Sequence, residues 1–249
     1  MNFKKNFAIA SVLFCFSSSV LLAQNINYKG FYVGVSTGYG TSSSGYYTVM
    51  DATPAAIINQ FGDLASQGLS GGLHFDYNVI VTNKFLLGLE IGAGLSNQVG
   101  KENLLLNVGY PFNPIETLRF EKENSLSLAL RLGTFPINDL LTYVSVGIEN
   151  AKWSADYSPF NNSNPIIFSK DKRLTGLQYG LGIEMLIDSN WVIGGEWIYI
   201  DYVTSLDMNG VLSVWPFGSE GSSGGILKTF NTLKPDSSEF RLKVSYKFC

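Results

Sequence analysis

The sequence predicts an eight-stranded antiparallel up-and-down transmembrane β-barrel, and three observations support this fold class. Segments of roughly ten residues or more alternate between apolar and polar side chains, which is typical of a wall between lipid and a polar interior. The connections between these segments alternate between short and long. After the N-terminal segment there is no run of about eighteen apolar residues, so no transmembrane helix is predicted.

The last segment, 238–248, shows the alternation most clearly. Side chains point to opposite faces along a strand, so each face can be read from every second residue. One face is apolar: Phe240, Leu242, Val244, Tyr246 and Phe248. The other face is polar and charged: Glu239, Arg241, Lys243, Ser245 and Lys247. Because an open sheet edge cannot lie in hydrocarbon, this strand is expected to close against the first one.

Seven further segments repeat the pattern, and each is long enough to cross a bilayer when tilted. They span 31–40, 69–79, 85–96, 117–134, 140–153, 176–187 and 191–202. In the fourth, six apolar side chains are assigned to the lipid face: Leu118, Phe120, Leu126, Leu128, Leu130 and Leu132.

Aromatic residues gather at the segment ends, where they are expected to form two interfacial girdles. The predicted girdle residues are Phe31, Tyr39, Tyr77, Phe85, Phe135, Trp153, Trp191, Tyr199, Tyr202, Tyr246 and Phe248.

Connection lengths predict which end of the barrel faces which side of the membrane. Three connections are short and rich in turn formers, near 78–84, 135–139 and 188–190. Four are long: 41–68, 97–116, 154–175 and 203–237. Short periplasmic turns and long extracellular loops are typical of outer-membrane barrels. Ten strands are an alternative, since 46–50 and part of the last long connection could form another hairpin.

The N-terminus resembles a secretion signal. Lys4 and Lys5 precede an apolar stretch, 7–22, and Ala23 is a plausible cleavage residue before Gln24. We therefore expect a signal peptide over 1–23 and a barrel domain over 24–249, the alternative being an uncleaved anchor helix. Two cysteines are too few for a disulfide framework.

Three stretches carry a family resemblance: the FYVGVSTGYG strand, the GLGIEMLIDSNWVIGGEWIYIDY hairpin and the terminal alternating strand. They resemble the small eight-stranded outer-membrane barrels of Gram-negative bacteria, the OmpA/OmpX-like family. This resemblance implies a location in the cell outer membrane, with lipid including lipopolysaccharide around the barrel. It also implies that the barrel-assembly machinery reads Val244, Tyr246 and Phe248, although Cys249 follows the terminal aromatic residue.

The predicted interior face gathers charge. The inward residues are Glu90, Arg131, Glu149, Glu184, Glu196, Arg241 and Lys243. An eight-stranded barrel is just wide enough for side chains to fill, and charges held there must be paired. These residues are expected to form either a structural salt-bridge plug or a switchable cluster that gates a narrow water path.

Chemistry beyond ion pairing has little support in the sequence. His74 and Asp76 lie two residues apart on an inward face. They could act together as a general base in catalysis, or His74 could be an interior histidine held by hydrogen bonds. A lipid-modifying outer-membrane enzyme is the least supported function, because the His-x-Ser of a deacylase is absent. No metal site or cofactor is predicted, and a net charge of −3 gives no reason to expect a nucleic-acid partner.

The long connections carry the functional prediction. The stretch 52–65 is apolar enough for a short amphipathic helix, and the last connection contains Trp215, Phe217 and Phe230. Exposed apolar loop residues often mark contact with a partner, such as a host or extracellular surface molecule; alternatively, they pack on each other over the barrel mouth. The sequence therefore predicts a structural anchor for surface-exposed interaction loops. The alternative is a small gated channel through a charge-lined lumen.

Overall fold

The computed structural model describes most of the chain after its N-terminal segment. The described residues are 28–53, 56–82, 84–105, 115–137, 139–159, 168–215 and 225–248. For some strand residues the backbone alone is described: 46–53, 56–62, 103–105, 115–116, 157–159, 168, 208–215 and 225–231. None of the described residues forms a helix long and apolar enough to cross a membrane.

Nine strands make up the described structure. They are β1 Gly30–Thr53, β2 Ala56–Thr82, β3 Phe85–Leu105, β4 Ile115–Ile137, β5 Leu140–Pro159, β6 Phe168–Leu186, β7 Trp191–Tyr202, β8 Leu206–Trp215 and β9 Gly225–Phe248. Each strand pairs antiparallel with its neighbours.

The strands close into a barrel with eight positions around its wall. The order is β1 to β7 followed by β9, and β9 returns to pair with β1 from Phe31↔Phe248 to Thr53↔Ile226. On its other edge β9 pairs first with β8 and then with β7, so β7 and β8 occupy one position in the wall, interrupted at 203–205. The eight-stranded prediction is confirmed. The described segments considered for a ten-stranded barrel lie in β1, β8 and β9 and add no further position to the wall.

Strand alternation separates the two faces as predicted. On β9 the apolar side chains Phe240, Leu242 and Phe248 are exposed, whereas Lys243 and Lys247 are buried inside the barrel. A wall with this many exposed aliphatic and aromatic side chains has the pattern of a lipid-facing surface.

One face assignment was wrong. Leu118 and Phe120 are completely buried inside the barrel, not on the lipid face. The register between β4 and β5 shifts between Lys122 and Ser125, where a β-bulge inserts one extra residue. Because the side-chain period of a strand is two, that single residue exchanges the faces of everything beyond it. The same register shift directs the Lys122 side chain into the interior.

Three of the predicted girdle residues are also placed elsewhere. Trp153 and Tyr202 are fully buried in the interior, with their rings 5.4 Å apart in a T-shaped contact. Phe135 packs against Tyr28, with ring centroids 5.3 Å apart. Sequence position marked these residues as lying near strand ends, but their side chains turn toward the interior and not toward the membrane interface.

The long connections are built largely from strand. β1 and β2 stay paired from Gly30↔Asn78 as far as Ala52↔Ala56, so a helix over 52–65 is wrong for the described part of that stretch. Backbone pairing across this hairpin satisfies the amide groups that a helix would otherwise pair internally. β1 has 24 residues and β2 has 27, whereas about 9–11 suffice to cross a bilayer. The paired strands therefore project well past the apolar belt at the loop end.

Candidate functional site: the barrel interior

Ten charged residues, all of them buried except the partly exposed Arg241, form a network in the middle of the barrel, here called the central charge network. Its acids are Asp76, Glu90, Glu149, Glu184, Glu196 and Glu239, and its bases are Lys122, Arg131, Arg241 and Lys243. They come from β2 to β7 and β9, since alternation turns one residue in two of every strand inward.

Arg131 is at the centre of one half of the network. Its Nη2 donates to Glu184, and its Nη1 lies 3.6 Å from Asp76 and 3.8 Å from Glu90. The guanidinium carbon lies 3.8 Å from the centroid of the Tyr143 ring, which adds a cation–π contact. Tyr143 fits here because Gly182 on β6 has no side chain; a Cβ at Gly182 would overlap the phenol ring.

Lys243 extends this half to the next strands. Its Nζ donates to Glu90 Oε2 at 2.6 Å and lies 3.8 Å from both Glu184 and Glu196. Lys243 and Arg131 thus share Glu90 and Glu184, so removing either base leaves buried carboxylates with less compensation.

The other half of the network lies nearer the loop end. Lys122 Nζ lies 2.8 Å from Glu149 Oε1, and Tyr202 donates its hydroxyl to that same oxygen at 2.5 Å. Arg241 Nε donates to Glu239 Oε1 at 2.8 Å and its Nη2 lies 3.7 Å from Glu149. Glu149 therefore joins two bases that come from different strands.

Apolar side chains fill the interior on the loop side of the network. This upper apolar layer comprises Leu64, Leu118, Phe120, Ala151, Trp153, Ala155, Leu174, Ile198, Ile200, Tyr202, Leu206 and Leu233. Phe120 and Trp153 stack with ring centroids 4.5 Å apart. These buried side chains pack closely and fill this layer of the described interior.

A lower apolar layer occupies the turn end. It comprises Tyr28, Tyr32, Leu86, Leu141, Tyr143 and Val192. Tyr28 precedes β1 and crosses the barrel mouth, where its hydroxyl donates to the Asp139 carbonyl at 2.7 Å. Burial raises the pKa of the Tyr28 phenol, so this residue stays a neutral donor at physiological pH. The central charge network thus lies between two apolar layers.

A cavity of about 30 Å³ remains beside the network, lined by residues that include His74, Lys122 and Glu196. That volume corresponds to about one water molecule. Two of these residues carry a buried polar atom without a hydrogen-bond partner among the described residues: His74 Nδ1 and Glu196 Oε2. Such atoms are the usual partners of buried water, so this space suits bound water.

His74 and Asp76 do not form a catalytic relay. A relay needs the two ring nitrogens of histidine to contact different partners. Here Nε2 lies 2.8 Å from Ser245 Oγ and 3.8 Å from Asp76 Oδ2, while Nδ1 has no partner among the described residues. Both side chains are buried, and this geometry fits an interior hydrogen-bonded histidine. Among the described residues, no group of three or more potential ligands could hold a metal ion.

The structure brings all seven sequence-predicted interior residues into the network, and three members of the network were not in that set. Lys122 was missed because the bulge reverses the direction in which its side chain points. For Glu239 and Asp76, the sequence indicated the strand face but gave no ion-pair partners. Val244, Tyr246 and Phe248 lie on the outer wall. Trp215 and Phe230 lie in β8 and β9 with only their backbone described, and Phe217 lies outside the described residues.

A family model described as the outer membrane protein beta-barrel domain matches residues 8–248 of the chain. Among curated proteins, the chain is 22% identical over 224 residues to the 31 kDa outer-membrane immunogenic protein of Brucella melitensis, covering 79% of this chain and 87% of the relative.

Two matches among solved structures extend over most of the chain. The outer membrane protein OprG of Pseudomonas aeruginosa is 15% identical with a TM-score of 0.48, covering 90% of this chain and 99% of OprG. Ail, the attachment invasion locus protein of Yersinia pestis, is 12% identical with a TM-score of 0.39, covering 88% of this chain and 99% of Ail.

Proposed function

Because the chain belongs to the outer membrane protein β-barrel domain family, we propose that it is a structural anchor that presents surface-exposed loops to other molecules. The observation that carries this proposal is the filled interior. The central charge network and the two apolar layers occupy the lumen of the described barrel. An eight-stranded barrel leaves little room beyond its side chains, so the projecting loop end is the part available for recognition.

The projecting strands support this role. β1 pairs with β9 along its length and with β2 to the far end of their hairpin. Continuous backbone pairing holds the loop ends in fixed positions, which lowers the entropy lost when a partner binds. The name of the Brucella relative, an immunogenic outer-membrane protein, is consistent with a surface that other molecules meet.

We assign the contacts themselves to Trp215, Phe217 and Phe230, on the basis of their sequence position in the last long connection. The partner is a host or extracellular surface molecule, since the barrel is in the outer membrane and its long connections face outward.

Replacing Trp215 and Phe217 together by Ser is expected to reduce adhesion about tenfold or more, because buried aromatic anchors dominate most interfaces. Bacteria that display the chain are applied to an epithelial cell monolayer, and the retained cells are counted. The matched control replaces Phe85 by Ser, an exposed aromatic residue at the turn end. Equal retention of the double variant and the wild type would contradict the assignment of Trp215 and Phe217 as partner contacts.

A gated channel is the second candidate, and one observation favours it: the charge network joins seven of the eight wall positions. A path for ions would require the apolar layers above and below that network to open. Lipid-modifying catalysis has less support than the anchor or the channel, since His74 lacks the geometry of a catalytic relay.

We also propose that Val244, Tyr246 and Phe248 are read by the barrel-assembly machinery. All three point outward, and the Tyr246 and Phe248 rings contact each other edge to face at 5.3 Å. Trp191 of the neighbouring strand lies 5.1 Å from Tyr246, so these residues form one aromatic surface at the turn end.

A further inference from the structure

We propose that residues 28–30 form a hinged strap that closes the turn end of the barrel, and that this strap opens within the folded wall to let water reach the central charge network. We call these residues the N-terminal strap. The turn end faces the periplasm in this family of barrels, so the water enters from that side. The proposal concerns the turn end alone and is independent of the loop contacts assigned above.

The N-terminal strap is not part of the barrel wall. Pairing of β1 with β2 begins at Gly30 and pairing of β1 with β9 begins at Phe31, so Tyr28 and Lys29 precede both ladders. These two residues can therefore change position without breaking a backbone ladder.

Two backbone conformations mark the two ends of the strap. Among the described residues, positive φ occurs at Gly30, with 137°, and at Asp139 in the β4–β5 turn, with 64°. At Gly30 the positive φ turns the chain away from the wall and across the barrel mouth, a conformation that glycine adopts without steric cost. A Cβ at Gly30 would also lie only 3.2 Å from the Phe248 carbonyl oxygen. Gly30 is thus the hinge, and Asp139 presents the carbonyl group that holds the far end.

Few contacts hold the far end of the strap. The Tyr28 hydroxyl donates to the Asp139 carbonyl at 2.7 Å and lies 3.2 Å from the Glu184 carbonyl oxygen. The Tyr28 ring packs against Phe135, and the Tyr28 carbonyl accepts from the Tyr32 hydroxyl at 2.8 Å. Each hydrogen bond contributes little to the net stability of a fold, so the strap can release while the paired wall stays closed.

Polar atoms without partners lie behind the strap. Asp76 Oδ1 and His74 Nδ1 are buried and have no hydrogen-bond partner among the described residues. Both lie on β2, two and four residues from Asn78, which pairs with the hinge residue Gly30. Ordered water usually satisfies buried atoms of this kind. Water that passes the open strap would therefore meet hydration sites on its way to the network.

The apolar layer that the strap completes is the thinner of the two. Among the described side chains, the lower apolar layer has six members including Tyr28, whereas the upper apolar layer has twelve. Opening the strap takes Tyr28 out of the lower layer and leaves the upper layer intact. Water then enters from the turn end without a path through the whole barrel.

A cysteine behind the strap tests the proposal. Ser245→Cys places a thiol beside His74, because Ser245 Oγ lies 2.8 Å from His74 Nε2. Ala151→Cys places a thiol in the upper apolar layer for comparison. Each change is made in residues 24–249 with Cys249→Ser, and the refolded protein in detergent micelles reacts with methyl methanethiosulfonate. Mass spectrometry follows the reaction rate, and migration on unheated SDS gels checks folding.

Tyr28→Ala is expected to raise the reaction rate of Ser245→Cys about tenfold or more, since it removes the ring and the hydroxyl that hold the strap. Gly30→Ala should act similarly, because a Cβ disfavours the hinge conformation. Tyr28→Phe loses only the hydroxyl and should raise the rate about threefold. The matched control Phe85→Ala removes an exposed aromatic side chain at the turn end and should leave the rate unchanged.

Three results would overturn the proposal. Equal rates for Ser245→Cys with and without Tyr28→Ala would show that the strap does not control access to the interior. Equal acceleration of Ser245→Cys and Ala151→Cys would show that the whole barrel had loosened. Reaction of Ser245→Cys only after unfolding in urea, with Tyr28 in place, would show that the strap stays shut in the folded barrel.

Discussion

Replacing Arg131 with Met is expected to lower the free energy of unfolding by about 3–5 kcal/mol, the usual cost of breaking a buried ion pair from one side. Arg131 is almost completely buried and is the base that hydrogen-bonds Glu184. Without it, the remaining ion pair of Glu184 among the described residues is the 3.8 Å contact with Lys243. Urea unfolding in phospholipid vesicles, followed by tryptophan fluorescence, measures the change.

The control for Arg131 is Lys152→Met. Lys152 forms a 3.0 Å ion pair with Glu123, but both side chains are about one third exposed. Solvent screens exposed ion pairs strongly, so this variant should be nearly as stable as the wild type. Adding Glu184→Gln to Arg131→Met should restore part of the loss, because it removes the unpaired buried charge. Similar stability losses for the Arg131 and Lys152 variants would contradict a structural role for the network.

Trp153→Ala is expected to cost about 3–5 kcal/mol, as for other aromatic residues removed from a packed core. Trp153 is fully buried between Phe120, which stacks on it at 4.5 Å, and Tyr202, which meets it edge-on at 5.4 Å. Truncation would leave both rings facing an empty space in the upper apolar layer.

Trp153→Phe is the matched variant, measured by the same urea titration. It keeps a ring against Phe120 and removes the buried indole N–H. Its expected cost is under about 2 kcal/mol. If the Ala and Phe variants unfolded at the same urea concentration, Trp153 would not pack the interior as described.

Most of the wall could be predicted from the sequence because a strand of period two shows its faces directly. On β9 the apolar and charged sets lie on opposite faces, as the alternation of 238–248 indicates. The same logic failed for Leu118 and Phe120, because a one-residue bulge has no marker in the alternation itself. Both residues are apolar, but they face the interior of the barrel and not the lipid.

Seven of the ten members of the central charge network could be predicted from the sequence, but their pairing could not. Inward faces identified Glu90, Arg131 and Lys243, whereas their contacts depend on the stagger of strands distant in sequence. The upper apolar layer was not predicted at all. Its members occur on inward positions such as Ile198 and Ile200, which resemble ordinary strand residues until the barrel brings them together.

The most direct test of the sealed interior is the conductance of the refolded chain in a planar bilayer, after its folding has been checked on unheated SDS gels. The filled lumen predicts a folded barrel that carries no steady current. Steady unitary conductance that changes on Glu184→Gln or Arg131→Gln would contradict this account and favour the gated channel, since it would show ions passing through the charge network.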